Sequence, residues 1–88
     1  MKVKVKLFAT LIQHIPESIR ARYPQGMRAG TPLEIELPEQ STLADLVSHL
    51  NLPQEQIRVA FVNGRARPLD YGLVSGDEVG IFPPVGGG

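Results

Sequence analysis

The chain has 88 residues, a length that fits one domain with a single hydrophobic core. A domain of this size has no room for a deep active-site cleft walled on all sides. Nine basic residues balance nine acidic ones, which argues against general nucleic-acid binding because such binding depends on neutralising phosphates. The chain contains no cysteine, so disulfides, thiolate nucleophiles and cysteine-ligated zinc or iron–sulfur sites are excluded.

The first residues and the apolar runs bear on localisation. The opening MKVKVKLF alternates lysine with apolar residues and lacks the continuous apolar segment of a signal peptide. No apolar run approaches the ~20 residues that a membrane-spanning helix needs. We therefore expect a soluble, cytoplasmic protein that binds neither membranes nor nucleic acid.

The first predicted element is a strand at residues 2–8. Lysine and apolar residues alternate there, which is typical of a strand with one buried and one solvated face. Val3, Val5 and Leu7 fall on the predicted core face. Phe8 falls on the opposite face with the lysines, so the pattern places one aromatic ring on the solvated side.

Residues 10–30 predict an insert with one or two short helical turns followed by a loop. Apolar residues with helical spacing stand near its start, and Pro24, Gly26 and Gly30 indicate the loop near its end. Residues 31–38, TPLEIELP, alternate again and predict a second strand. This strand could pair antiparallel with the first one around the insert.

The clearest helix is predicted within residues 41–53, STLADLVSHLNLP. Its apolar residues follow the i, i+3, i+4, i+7 spacing of a helix that packs one face against a core. Ser41 or Thr42 can cap the first turn, and Asp45 stands near the position that a capping box requires. Pro53 prevents the helix from continuing.

Three strands are predicted after the helix. Residues 57–69 predict a strand, a tight turn at Asn63-Gly64 and a short second strand. A further turn at residues 75–77 leads into a last strand at 78–82.

The faces of these later strands are only partly decided by parity. Phe82 lies on the side of the last strand opposite its apolar stripe. In the strand at residues 59–62 both faces are apolar. Either Val59 and Phe61 or Ala60 and Val62 could therefore face the core. The alternation of residues alone does not show which face of this strand is buried.

Together these elements predict an α+β fold with a mixed sheet of about five strands and one main helix packed across it. The first and last strands can lie side by side and parallel in the centre, because the helix supplies the long crossover that parallel pairing needs. We expect residues 1–82 to form the domain, including the 10–30 insert. We expect residues 83–88 to form a flexible tail.

Four segments of the sequence resemble the ubiquitin-like β-grasp family. The resemblance is strongest to its sulfur-carrier branch, which includes the small subunit of molybdopterin synthase and the thiamine sulfur carrier. The tail motif is the specific part, while the insert and the third glycine depart from the family pattern. The resembling segments are VKVKLFA (3–9), STLADLVSHL (41–50), VAFVNG (59–64) and SGDEVGIFPPVGGG (75–88).

The resemblance implies chemistry at the C-terminus. In that family a ubiquitin-activating-type enzyme uses ATP to adenylate the terminal glycine carboxylate, which is then converted to a thiocarboxylate. The large subunit of molybdopterin synthase uses this sulfur to build the dithiolene of molybdopterin. Carried over, Gly88 is the reacting residue and Gly87 stands behind it. The chain is then not an enzyme by itself and binds no cofactor.

The tail residues suit delivery into another protein's pocket. Residues 86–88 are glycines, which have no Cβ and can thread a narrow channel. Pro83 and Pro84 fix φ and favour an extended backbone at the base of the tail. At ~3.3 Å per residue, the segment after Phe82 can reach about 20 Å.

A docking face is predicted at the root of the tail. If the first and last strands are neighbours, Phe8 and Phe82 form one exposed apolar patch, and such patches commonly mark partner sites. The family pattern adds the side chains of Val59 and Phe61 to this face. The predicted partner-binding residues are Phe8, Val59, Phe61, Phe82, Pro83, Pro84, Val85 and Gly86.

Other functions remain open on the sequence alone. The carrier could serve thiamine, tungsten-cofactor, tRNA or cysteine synthesis, although FPPVGGG favours the molybdopterin branch. The chain could also be a protein modifier conjugated to lysines through Gly88, or an interaction module with an inert tail. His14 and His49 stand far apart with no cysteine or paired carboxylate motif near them, so no metal site is expected.

Overall fold

A computed structural model describes residues 1–24, 26, 28, 30–57 and 59–83. Within this part of the chain, five strands form one sheet. The strands are β1 (Lys2–Leu7), β2 (Leu33–Glu36), β3 (Val59–Val62), β4 (Arg65–Arg67) and β5 (Glu78–Phe82). The helices are α1 (Glu17–Arg20) and α2 (Leu43–His49), with 3-10 turns at Ala9–His14 and Gln54–Gln56.

The sheet has the strand order β2-β1-β5-β3-β4. Strands β1 and β5 are parallel, with Val5 opposite Val79, and the other neighbouring pairs are antiparallel. The prediction of a mixed sheet with the first and last strands parallel at its centre is therefore confirmed. So is the antiparallel pairing of β1 and β2 around the insert.

The core lies between one face of the sheet and helix α2. The alternating residues of β1 on this face are 0–1% exposed, and the apolar stripe of α2 is equally buried. The insert adds Leu11, Ile15 and Ile19 to the same apolar cluster. The segment that departs from the family pattern is thus part of the core, and this role was not predicted from its sequence.

The two ends of helix α2 are fixed by local hydrogen bonds. The backbone N–H of Asp45 donates to Thr42 Oγ1 (3.2 Å), and the N–H of Thr42 donates to Asp45 Oδ2 (2.9 Å), which completes a capping box. At the other end Asn51 adopts a φ of 58°, and the N–H of Leu52 donates to the carbonyl of Val47 (3.0 Å). This left-handed ending satisfies carbonyls that the helix leaves unpaired.

The outer edge of β2 is partly covered by the insert. The backbone N–H of Glu34 donates to the hydroxyl of Tyr23 at 3.1 Å. An unpaired strand edge is a template for association with other chains, so a side chain that occupies an edge donor limits such pairing. The insert therefore protects the outer edge of β2 from pairing with other chains, in addition to adding side chains to the core.

Asp77 joins two turns at the end of the sheet away from the tail. This residue is only 4% exposed. Its carboxylate accepts hydrogen bonds from Asn63 Nδ2 and from the backbone N–H of Val74, both at 2.9 Å. Asn63 Oδ1 in turn accepts from the N–H of Glu78 at 3.0 Å. The aspartate thus ties the β3–β4 turn to the turn before β5.

Replacing Asp77 with alanine is expected to lower the free energy of unfolding by about 1–3 kcal/mol, because two donors lose their acceptor in a largely buried place. Asp70→Ala is the matched control, since Asp70 is an exposed turn residue, and it should change the free energy by less than about 0.5 kcal/mol. Urea denaturation of both variants measures the difference. Equal stabilities of the two variants would show that the Asp77 bonds are replaced by water.

None of the helices in the described ranges is long and apolar enough to span a bilayer.

Candidate docking site at the root of the tail

Two phenylalanines stack where β1 and β5 end. The parallel register pairs Leu7 with Ile81, and the N–H of Phe8 donates to the carbonyl of Ile81 at 3.2 Å. The next residues, Phe8 and Phe82, therefore stand side by side on the face away from helix α2. Their ring centroids are 4.3 Å apart with an interplanar angle of 1°, and both side chains are half-buried.

Strand β3 adds a third ring to this face. Ala60 and Val62 are buried in the core at 2% exposure, so Val59 and Phe61 point to the opposite side. The Phe61 ring meets Phe82 edge-on, with centroids 5.7 Å apart at 81°. We call Phe8, Phe61 and Phe82 the phenylalanine cluster. The structure resolves the face of β3 that sequence parity left open.

Gly80 forms the floor beneath the cluster. It lies opposite Phe61 on β3 and opposite Lys6 on β1. A Cβ added here would stand 3.6 Å from Phe8 Cε2 and 3.6 Å from Phe82 Cε1. The missing side chain therefore leaves space that the two rings border. A glycine on the outer face of a strand indicates a close approach, and this signal could have identified Gly80 from the sequence.

The cluster and Gly80 border a groove of about 440 Å³ on the outer face of the sheet. Its remaining walls include Lys4, Lys6, Pro32 and Glu78. An apolar groove with charged residues at its rim has the composition of a protein docking site, where a buried centre is surrounded by polar groups.

The groove lies directly before the predicted tail. Phe82 is the last residue of β5, and Pro83, which is half-buried, is the last described residue. The predicted reactive and partner-binding residues beyond it lie outside the described residues; these are Pro84, Val85, Gly86, Gly87 and Gly88. Of the predicted partner-binding residues, the structure brings together Phe8, Val59, Phe61, Phe82 and Pro83 near one end of the sheet.

Lysines and glutamates alternate across this face, from the wall of the groove toward the start of β1. Lys2 stands opposite Glu36 on β2. Lys4 stands between Glu34 on β2 and Glu78 on β5. Opposite charges directly across a strand pair are mildly stabilising. The lysines that the sequence suggested were simply solvated are thus arranged against carboxylates, with one exception at Lys6.

Arg65 and Arg67 lie on β4, the edge strand next to β3. The three residues of β4 are exposed. The guanidinium carbon of Arg67 lies 4.8 Å from the ring centroid of Tyr71, within the range of a cation–π contact. Arg67 thus has a local structural role, whereas Arg65 is a solvated edge residue.

Histidines and carboxylates in the described ranges do not gather into a metal site. No group of three metal-ligating side chains occurs there. His49 is exposed at the end of α2, and His14 is half-buried at the end of the first 3-10 turn. The absence of a metal site from the whole chain stays a prediction.

Comparison with known proteins gives a family and a fold. The sequence profile of the ThiS family matches residues 21–88, more than half of the chain. A provisionally named molybdopterin converting factor, subunit 1, from Pyrococcus furiosus is 31% identical, with a TM-score of 0.65 over 97% of this chain and 99% of that one. No curated protein sequence matches the chain.

Two crystal structures from Haloferax volcanii share the fold at lower identity. SAMP1 is 22% identical, with a TM-score of 0.64 over 100% of both chains. A second structure, of small archaeal modifier protein 1, is 20% identical, with a TM-score of 0.65 over 96% of this chain and 98% of that one. At these identities the likeness concerns the architecture alone.

The strand order, the helix across the sheet and the profile match agree with the resemblance found in the sequence. The match to the profile includes the whole tail, through residue 88. The chain therefore belongs to the ThiS family and has the ubiquitin-like β-grasp fold of the sulfur carriers.

Proposed function

We propose that this chain carries sulfur on its C-terminal glycine for molybdopterin synthesis, as the small subunit of molybdopterin synthase. The observation that carries the proposal is the family match that runs to Gly88. The 31% identity to a protein named molybdopterin converting factor, subunit 1, supports the molybdopterin branch. The double proline of FPPVGGG supports the same branch. The protein acts in the cytoplasm as a substrate and a donor, not as an enzyme by itself.

The proposed reaction has two steps at Gly88. An oxygen of its carboxylate attacks the α-phosphorus of ATP in a ubiquitin-activating-type enzyme, and pyrophosphate leaves. Hydrosulfide, supplied by a sulfur donor, then attacks the carbonyl carbon of the acyl-adenylate, AMP leaves, and loss of a proton gives the thiocarboxylate. Because the chain has no cysteine, the sulfur comes from another molecule. The large synthase subunit accepts it.

The size and shape of the carrier explain why a partner protein must provide the reaction pocket. A mixed anhydride hydrolyses in water, so it must form in a pocket that excludes water. The groove on the sheet is an open surface, suited to docking and not to enclosing a reactive carbonyl. The partner therefore supplies the pocket, while the carrier supplies an apolar docking face and the glycine-rich sequence that follows it.

Thiol-specific alkylation of the intact protein tests the proposal. The purified chain is incubated with the activating enzyme of the same organism, ATP and a sulfur donor, and then with iodoacetamide. Because the chain has no cysteine, a thiocarboxylate is expected to be the one strongly thiol-like group, and digestion should place the label on the C-terminal peptide.

Alkylation is needed because exchange of oxygen for sulfur changes the mass by nearly as much as oxidation of a methionine, and the chain has two methionines. The control omits ATP and should show no label. Persistence of an unlabelled carboxylate with an activating enzyme of demonstrated activity would refute the proposal. Gly-Gly remnants on lysines of other proteins would instead indicate a protein modifier.

A further inference from the structure

Lys6 differs from the other lysines of β1 in its surroundings. Lys2 and Lys4 each stand directly opposite a glutamate. Lys6 stands opposite Gly80 on β5. On the other side, one further step of the β1–β2 register brings Pro32 opposite Lys6, and Pro32 lines the same groove. The directly facing positions therefore supply no acidic partner.

The nearest carboxylates on this face are diagonal to Lys6. Glu34 and Glu78 stand directly opposite Lys4, which is two residues away along β1. Diagonal neighbours in a sheet are about 7–8 Å apart, compared with about 5 Å for directly opposed residues. Within the described ranges, none of the side chains of Lys2, Lys4 and Lys6 makes a hydrogen bond or an ion pair, but Lys6 is the one of the three without a directly opposed carboxylate. Its ammonium is thus available to a group outside this domain.

The position of Lys6 links this charge to the docking groove. Its cross-strand neighbour Gly80 is the floor beneath Phe8 and Phe82. An apolar side chain that enters the groove would therefore lie beside Lys6, which lines the same groove. A partner that covered this lysine with an apolar or basic surface would pay a desolvation or repulsion penalty, whereas a carboxylate would offset it.

We propose that the protein surface that docks on the phenylalanine cluster presents a carboxylate to Lys6, next to an apolar side chain that fills the groove over Gly80. This inference rests on the proposed function, because it describes the partner that receives the tail. Lys6 contributes specificity and association rate, since charges at the rim of an interface act mainly through encounter and salt dependence.

The test compares Lys6→Gln with the matched control Lys2→Gln. Both remove one charge from the same face of the same strand, but only Lys6 borders the groove. Binding of the full chain to the purified large synthase subunit is measured at low and high salt. We expect Lys6→Gln to weaken low-salt binding about three- to tenfold and Lys2→Gln to weaken it less than about twofold.

Two further binding comparisons and two control measurements sharpen this test. The difference between wild type and Lys6→Gln should disappear at about 0.5 M salt, where exposed pairs are screened. Lys6→Arg should keep most of the affinity because it keeps the charge. Thermal unfolding of each variant checks that the fold is unchanged, and sedimentation checks for self-association.

The outcomes separate this inference from the proposed function. If Lys6→Gln binds like wild type while Phe82→Ala loses binding, the carboxylate inference is wrong and the docking site stands. Equal losses in Lys6→Gln and Lys2→Gln would reveal a general effect of net charge and would also overturn it. Self-association of Lys6→Gln with normal partner binding would assign the lysine to solubility instead. If wild type itself fails to bind, the proposed function fails.

Discussion

Removal of Gly87 and Gly88 is expected to abolish thiocarboxylate formation and sulfur transfer while leaving the melting temperature unchanged. The deletion moves the C-terminal carboxylate two residues back, about 7 Å in an extended chain, so it cannot reach the same catalytic atoms. A 1 Å misplacement can already cost about a hundredfold in rate, and the loss here should exceed that. Stability should persist because the buried cluster of the described residues runs from Val3 to Ile81.

A substitution at Gly88 distinguishes the requirement for a carboxylate at the correct position from the requirement for a residue without a side chain. Gly88→Ala keeps the chain length and the carboxylate but adds a Cβ, and we expect slower activation because the channel must admit that methyl group. The control is Gly72→Ala, since a Cβ at Gly72 meets no atom within 4 Å. Label incorporation by alkylation measures all three variants. Normal labelling of the two-residue deletion would refute the assignment of Gly88 as the reacting residue.

Phe82→Ala is expected to weaken binding to the large synthase subunit by about 30-fold, equivalent to ~2 kcal/mol for a central hot-spot residue. Phe82 contacts both other members of the phenylalanine cluster, so its removal opens the docking face and leaves Phe8 without its stacking partner. The lost aromatic contact should also cost the domain about 0.5–1.5 kcal/mol of stability. Isothermal titration calorimetry and urea denaturation measure the two effects separately.

Val74→Ala provides the control for loss of an exposed apolar side chain. Val74 is 62% exposed and lies before β5, at the end of the strand away from Phe82. Its substitution should leave binding within about twofold of wild type, as expected for a surface residue outside an interface. If both variants bind equally well, the phenylalanine cluster is a structural feature of the sheet and not the docking face.

Strong periodicity explains why most of the fold could be predicted from the sequence. The alternation in β1 and β2 and the stripe of α2 each match one period, and one buried face makes each pattern unambiguous. The capping box was also predictable because Thr42 and Asp45 are three residues apart and act within one turn. Such local signals need no knowledge of the rest of the chain.

The insert shows where local signals fail. Its apolar residues predicted short helical turns, which are present as a 3-10 turn and the four-residue helix α1. The separation between them follows from Pro16, because the residue before a proline is driven out of the helical region, and Ile15 has φ −61° and ψ 131°. That these turns bury Leu11 and Ile19 in the main core depends on tertiary packing.

The candidate site was predictable in part for the same reason. Phe8 and Phe82 could be placed together for two reasons. The alternation of apolar residues in the first and last strands shows that both rings lie on the face away from the core, and the crossover through the helix predicts that these strands are neighbours. Phe61 could not be placed from alternation, because β3 is apolar on both faces. The burial of Ala60 and Val62 in the core shows which face Phe61 occupies. The bond between Asp77 and Asn63 joins residues 14 positions apart, so no local pattern indicates it.

The parallel pairing of the first and last strands determines how the domain responds to mechanical load. Strand β5 is hydrogen-bonded to β1 on one side and to β3 on the other. A force that pulls on the tail along β5 therefore shears several of these interstrand hydrogen bonds at the same time. Peeling a strand from one end would instead break them singly. Resistance to such traction depends on the unfolding barrier and not on equilibrium stability. We therefore expect the domain to stay folded under a force applied to its C-terminal segment.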